Sequence, residues 1–313
     1  MNPFAPHPHA EAVRKFSLAL RLFGGIRMDE RFVDRTAVIT GASTGIGEAT
    51  AKQFAAEGAR VVLAARSTDA LEAIADYIGA DRAPAIPTDV TDFDALGSLL
   101  ERAQGHFGRI DILVNNAGYY GRGRVEENDV DDLPRTVDIS LRAPMALCRL
   151  VLPYLRQAGG GAIVNVASLA GRVPLAGAAA YCATKFGLRA FSFSLAEELA
   201  GSGITVSAVS PGPVDTDFFS GSLDDIPDMM LLPPMSSAER IAGLILACAC
   251  DGKRERVIPW YGGWVANAGY LLPWAKHLIT PLLDRIGRFH KTKYLKHRTR
   301  SRSHAGHAPV GRP

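Results

Sequence analysis

Cysteine is scarce in this sequence. The four residues present, Cys148, Cys182, Cys248 and Cys250, form neither the spaced framework of a small secreted scaffold nor a zinc pattern, because Cys-x-Cys alone is too tight and lacks partners. A reducing, cytoplasmic compartment is the simplest expectation, and no metal site is read. Long apolar runs are also missing: no stretch reaches the roughly 18 to 20 uninterrupted apolar residues that a spanning helix needs. Between residues 35 and about 262 no segment is rich in Pro, Gly or Ser, so nothing there marks a linker between domains. Acidic residues are absent from Arg288 to Pro313, which hold eight Lys or Arg. Removing those eight charges from the total of +3 leaves the rest of the chain at about −5, so the basicity belongs to a tail and a nucleic-acid face on the body is not expected.

What is present is a large apolar fraction, 47% of 313 residues, enough to bury a sizeable core. From residue 36 short β-branched runs alternate with longer helical stretches. The runs are "TAVIT" (36–40), "RVVLAA" (60–65), "APAIP" (83–87), "DILVN" (111–115), "GAIVNVAS" (161–168), "ITVSAVS" (204–210) and "ERVIPW" (255–260). Continuous apolar runs of that length suit strands buried on both faces, and the intervening segments suit right-handed crossover helices. Seven such runs predict an α/β, doubly wound (Rossmann) seven-stranded parallel sheet with helices on both faces. The expected organisation is one dinucleotide-binding catalytic domain, 35–262, flanked by extensions 1–34 and 263–313.

The first run leads into "TGASTGIG" (Thr40 to Gly47) and then a good helix. Glycines at 41, 45 and 47 let the chain turn sharply and approach a pyrophosphate, while the helix N-terminus offers unpaired N–H groups and partial positive charge. At the end of the second run stands "LAARS". Many NAD sites carry a carboxylate here for the ribose 2′-hydroxyl; Ala65 removes it, and the Arg66 guanidinium suits a 2′-phosphate instead, favouring NADP. "TDV" (88–90) and "NNAG" (115–118) follow the third and fourth runs, at the strand ends where ligands bind in open α/β sheets. "VNVAS" ends in Ser168, and thirteen residues later "YCATK" sets Tyr181 and Lys185 one helical turn apart on one face, so that a phenol and an amine address the same small volume.

In this order and at these intervals, "TGASTGIG", "NNAG", Ser168, "YCATK" and "PGPVDT" (211–216) resemble the short-chain dehydrogenase/reductase family over residues 35 to about 260. The resemblance implies an oxidoreductase that transfers hydride between nicotinamide and a secondary alcohol or a ketone or aldehyde. Tyr181 would be the general acid/base, with its phenolate stabilised by the Lys185 ammonium and the oxidised nicotinamide, both lowering its pKa. Ser168 would orient the substrate oxygen. The resemblance also implies NADP(H) contacts from Gly41, Ser43, Thr44, Gly45, Ile46 and Gly47 in the turn, from Arg66, and from Asp89 and Val90 after the third strand. Asn116, Ala117 and Gly118 would contribute after the fourth strand, Tyr181 and Lys185 from their helix, and Pro211, Gly212, Val214 and Thr216 after the sixth. Many members carry an asparagine, in a pattern like D-x-N-L-x-G, that helps hold a water in a proton relay; "VDISLRAP" has Ser140 there. A hydroxyl lacks the two ends of a carboxamide, so Ser140 either supports the relay through an added water or is an ordinary helix residue. The other reading of the whole chain is a dinucleotide-binding regulatory or scaffolding protein without turnover.

Residues 217–237, "DFFSGSLDDIPDMMLLPPMSS", suit either an adaptable lid over a hydrophobic substrate or core packing. The family resemblance implies a homodimer or homotetramer built through the helices after the fourth and fifth strands. In the flanks, "KFSLALRLF" reads as an amphipathic helix, its apolar run broken by Arg21 and without a cleavage signal. Residues 257–283 carry three Trp and two Tyr with Lys276 as the one formal charge, followed by the basic tail. Two outcomes stand open: peripheral contact with a membrane surface, or packing of the aromatic segment on the protein itself.

Overall fold

The computed structural model describes residues 31–121, 123–216, 218, 231–272, 274, 285–292 and 294. Its strands are β1 (Thr36–Thr40), β2 (Arg60–Ala65), β3 (Ala85–Pro87), β4 (Ile112–Asn115), β5 (Gly161–Val166), β6 (Ile204–Pro211) and β7 (Glu255–Ile258). They form one parallel sheet in the order β3-β2-β1-β4-β5-β6-β7. The chain therefore runs outward from β1 to one edge, then crosses back to β4 and continues the other way. The crevice between the carboxyl ends of β1 and β4 is the switch point of a doubly wound fold.

The strands are accompanied by α1 (Gly45–Ala56), α2 (Thr68–Ile78), α3 (Phe93–Phe107), α4 (Asp132–Val137), α5 (Ala143–Gln157), α6 (Ala179–Glu198), α7 (Ala238–Asp251) and α8 (Gly262–Leu271), and residues 285–292 are helical as well. A π-helical turn, Asp138–Arg142, joins α4 to α5, and a 3-10 turn, Leu169–Gly171, follows β5. The strands alternate their side chains between two cores, as the two-residue repeat of a strand requires. Ala37, Ile39, Val61, Leu63, Val114 and Val164 meet Phe54 of α1, Ile74 of α2 and Ile241 and Ile245 of α7. Val38, Val62, Leu113 and Ile163 point the other way, onto Leu96 and Leu99 of α3 and Leu147, Val151 and Leu155 of α5. Both faces being covered explains why the strands read as unbroken apolar runs.

Four strands are shorter than the sequence predicts, β4 by its first residue, β5 by its last two, and β3 and β7 by two each. β3 is an edge strand, and Pro87 is tolerated at its end because an edge position needs no N–H on its outer side. β7 stops at Ile258, before Pro259, which has no N–H to donate. Helix ends carry the expected chemistry: the Asp92 carboxylate accepts from the N–H groups of Asp94 and Ala95 at 3.0 and 3.2 Å, and Gly108 closes α3 at φ 71°.

One buried ionic cluster ties the carboxyl-end elements together. Glu255 of β7 accepts from Arg172, just past the 3-10 turn, at 2.5 and 3.2 Å, from Arg189 of α6 at 3.0 Å, and from Ser210 of β6 at 2.7 Å. Burial works against this carboxylate, but the hydrogen bonds from Arg189 and Ser210 and the charges of Arg172 and Arg189 hold it below the usual carboxylate range. Arg172 also donates to Asn267 of α8 at 3.2 Å. The expected domain boundary at 262 thus falls on the first residue of a helix that is bonded to this cluster. Gly262 and Gly263 of α8 are buried, and a Cβ at Gly262 would come within 2.9 Å of Leu169. The amphipathic stretch expected near residues 15–23 and most of the proposed lid, 217 and 219–230, lie outside the described residues.

Candidate active site

At the switch point the backbone itself forms the floor. Gly41 and Gly45 have φ of 63° and 57°, a region that only glycine enters readily, and a Cβ on Gly47 would sit 2.0 Å from the Gly41 carbonyl oxygen. The turn is fastened to β4 from below. The Asn116 amide donates to the carbonyls of Thr40 and Gly41, both at 3.0 Å, and the Thr40 hydroxyl accepts from the N–H groups of Asn116 and Ala117, both at 3.1 Å. Thr44 precedes α1 in an extended conformation and makes no side-chain cap, so the first-turn N–H groups of α1 face the crevice. A cradle that any side chain would fill, opening onto a helix N-terminus, fits the diphosphate of a dinucleotide.

A cleft of about 1020 Å³ extends from this cradle across the carboxyl ends of the central strands. Gly41, Ser43, Thr44, Gly45 and Ile46 line it at the turn, Arg66 beyond β2, and Asp89 and Val90 after β3. Asn116, Ala117 and Gly118 line it after β4, Ser168, Tyr181 and Lys185 on its far side, and Pro211, Gly212, Val214 and Thr216 after β6. Two expected residues do not line it. Gly47 lies beneath the turn, where it permits the close approach to Gly41. Ser140 is fully buried in the π-helical turn, where its hydroxyl accepts from the Tyr119 N–H and donates to the Tyr119 carbonyl, each at 3.0 Å. Its one donor proton is engaged by the backbone just after "NNAG", and it supports the cleft wall from behind.

Tyr181 and Lys185 sit on one face of α6, both nearly inaccessible at 8% and 4%. The Lys185 ammonium donates to the Val166 carbonyl at 2.8 Å and lies 5.6 Å from the centre of the Tyr181 ring. Burial lowers the Lys185 pKa from its ordinary value to about 8. Burial raises the Tyr181 phenol above the ordinary tyrosine range, and a hydrogen bond with Ser168 offsets only part of that. The reason is desolvation of the phenolate, which outweighs the nearby groups. Ser168 is in turn held by the 3-10 turn, its Oγ accepting from the Ala170 N–H at 3.1 Å.

The sequence reading missed Tyr119 and Tyr120 as cleft residues, whereas Phe218 lies in the 217–237 stretch it offered as a lid or core packing. Tyr120 packs on Tyr181 with ring centres 4.8 Å apart, and Phe218 lies 6.3 Å from Tyr120 and 6.2 Å from Tyr181. The adjacent Tyr119 donates to Asp132 at 3.1 Å beneath the Arg135 guanidinium. The "YY" directly after "NNAG" was the available signal, since residues following a central strand face the ligand crevice. Tyr261, which precedes α8, and Val265 of α8 close the outer side; nothing local in the sequence points that helix at the cleft. Among the described residues no group of three or more His, Cys, Asp or Glu is placed to hold a metal ion.

The depressed Lys185 pKa has a stability consequence. Below pH 8 both folded and unfolded states hold the proton and the full cost of burying the charge is present. Between about 8 and 10.5 the unfolded state still binds a proton that the folded state has released, so stability rises with pH through that window. Lys185→Met is therefore expected to be more stable than wild type at pH 7 by up to about 3 kcal/mol, with the gap closing near pH 10. Urea unfolding at both pH values checks this, and a gap that does not change with pH contradicts it.

The comparisons with known proteins agree with this geometry. A short chain dehydrogenase family model matches residues 35–226. An uncharacterized oxidoreductase of Staphylococcus saprophyticus is 41% identical over 186 residues, covering 59% of this chain and 76% of the relative. One from Staphylococcus aureus strain MRSA252 is 36% identical over 183 residues, covering 58% and 79%. The crystal structure of 3-ketoacyl-(acyl-carrier-protein) reductase from Brucella melitensis complexed with NADH superposes with a TM-score of 0.67 at 28% identity, covering 72% of this chain and 97% of that one. With the turn, the tyrosine–lysine pair and the serine all meeting in one crevice, the chain belongs to the short chain dehydrogenase family of oxidoreductases.

Proposed function

We propose that this protein is an NADP(H)-dependent oxidoreductase acting on a hydrophobic secondary alcohol or the corresponding ketone or aldehyde. The observation that carries the reading is the convergence of Ser168, Tyr181 and Lys185 on the apolar end of the cleft that begins at the glycine cradle. Bound nicotinamide supplies hydride to a carbonyl carbon or accepts it from an alcohol. Tyr181 gives its proton to the substrate oxygen in reduction and removes it in oxidation. Burial favours the neutral phenol, suited to the donor role in reduction. Ser168 orients the same oxygen and shares a hydrogen bond with Tyr181. Lys185, with a pKa brought near neutrality, is equipped to return a proton toward Tyr181. The hydroxyl of Ser140, engaged with Tyr119, supports a positioning part for this residue.

Tyr120, Phe218, Leu175, Val173 and Val265 line the substrate end and favour an apolar molecule. Arg66, exposed beside the cleft and without a carboxylate at Ala65, supports NADP(H) over NAD(H). The Brucella reductase is described with NADH, which makes NADH the natural comparator. We also infer a cytoplasmic homodimer or homotetramer built through α5 and α6.

Tyr181→Phe should bind NADPH nearly as wild type but lose at least on the order of 10²-fold in turnover against a panel of apolar ketones and aldehydes. Undiminished turnover sinks the assignment of the acid. A dinucleotide-binding protein without turnover would instead bind NADPH and consume none in wild-type form.

Arg66→Ala should weaken NADPH by roughly 1.5 to 3 kcal/mol and NADH far less, measured by fluorescence titration. Equal losses would show that Arg66 does not read the 2′-phosphate. Light scattering at working concentration should give a dimeric or tetrameric mass; a monomer removes the assembly.

A further inference from the structure

Charge is distributed unevenly along the cleft. Among the described residues that line it, the charged ones are Arg66, Asp89 and Lys185. Arg66 and Asp89 follow β2 and β3, across the switch point from β5 and Ser168. Lys185 is 4% exposed, and its ammonium donates to the Val166 carbonyl. The substrate end is walled instead by Tyr120, Val173, Leu175, Phe218, Leu232 and Val265.

The segments that supply these walls bring no cation with them. Residues 173–184 and 257–275 contain no charged side chain, and 210–238 contain Asp215, Asp217, Asp224, Asp225 and Asp228 but neither Lys nor Arg. Asp215 directly follows cleft-lining Val214 and precedes cleft-lining Thr216. Arg172, just before the first of these segments, is engaged elsewhere. Its guanidinium donates to Glu255 and Asn267 and lies under α8, where a Cβ on Gly263 would come within 3.5 Å of it. Arg285, Arg288 and Lys291, in the helical residues 285–292, are not among the residues that line the cleft. A carboxylate or phosphate entering the substrate end would therefore give up hydration and meet no countercharge, a cost that a neutral molecule escapes.

We infer that the substrate end selects uncharged carbonyl compounds and alcohols and rejects those that carry a carboxylate or phosphate. The inference rests on the oxidoreductase reading of the same site and narrows its substrate by charge. Val265 is the position at which one cation would loosen the selection. It lines the cleft yet is 57% exposed, so a longer side chain fits there without entering the core.

The test uses the full-length protein and a matched pair of probes, methyl 4-acetylbenzoate and its acid 4-acetylbenzoate, which share the ketone and the ring and differ in one negative charge. Calorimetry in the presence of NADP+ and NAD+ should show the ester binding at least on the order of tenfold more tightly than the anion. Val265→Arg should narrow that ratio by about two- to fivefold, the size of a partly exposed ion pair, whereas Val265→Gln, which adds length without charge, should leave it in place. Equal affinity for the two probes, tighter binding of the anion, or binding of neither overturns the inference. So does a ratio that Val265→Arg leaves unchanged or that Val265→Gln narrows as much. The same ester is then offered with NADPH and NADH. Selective binding of an ester that consumes neither cofactor would sink the oxidoreductase reading and leave the neutral site standing.

Discussion

The site depends first on a constraint of space: at the β1–β4 switch point the glycine turn must lie directly on the chain leaving β4. Gly47 can carry no Cβ because the Gly41 carbonyl occupies that position, and a Cβ on Gly41 would meet Ala117 at 2.9 Å. The Asn116 amide then bonds the carbonyls of Thr40 and Gly41, fixing the turn to the strand that follows the crossover. The floor of the crevice is therefore made of backbone, and the N–H groups opening α1 are left for a ligand. A side chain at these positions would close the crevice before anything could enter it.

A second constraint is electrostatic. Tyr181 and Lys185 are buried together, and desolvation moves their proton affinities apart, because it disfavours the charged form of each: the phenol is kept neutral while the ammonium is brought to about 8. The Val166 carbonyl supplies one fixed acceptor to Lys185, and the 3-10 turn fixes Ser168 from its own backbone. The strand end, the turn and the helix each contribute one functional group, which is why their mutual placement matters more than any single residue.

The Glu255 cluster couples this arrangement to the outer wall. Its carboxylate joins Arg189, on the helix of Tyr181 and Lys185, to Arg172, which reaches Asn267 on α8. With Arg172 and Glu255 both about nine-tenths buried, loss of either partner would strand the other's charge in a low-dielectric setting. The same cluster thus holds α6 and the helix that rims the cleft in one frame.

Much of this was legible in the sequence, for physical reasons tied to particular stretches. The seven β-branched runs determined a parallel sheet covered on both faces, because only such strands are apolar throughout. Glycines 41, 45 and 47, "NNAG" and Tyr181 with Lys185 announced a crevice floored by backbone and a phenol–amine pair on one helix face, because each depends on local spacing along a strand end or one helix turn. What local spacing does not encode was decided by the tertiary structure. Ser140 was absorbed by the backbone of Tyr119, twenty-one residues away. Tyr120 became a wall through its contact with Tyr181, and α8 was drawn to the cleft rim by Asn267 reaching Arg172, ninety-five residues away. The phenol's raised proton affinity belongs to the same class, since desolvation is set by every element packed around a group and by none of its neighbours in sequence alone.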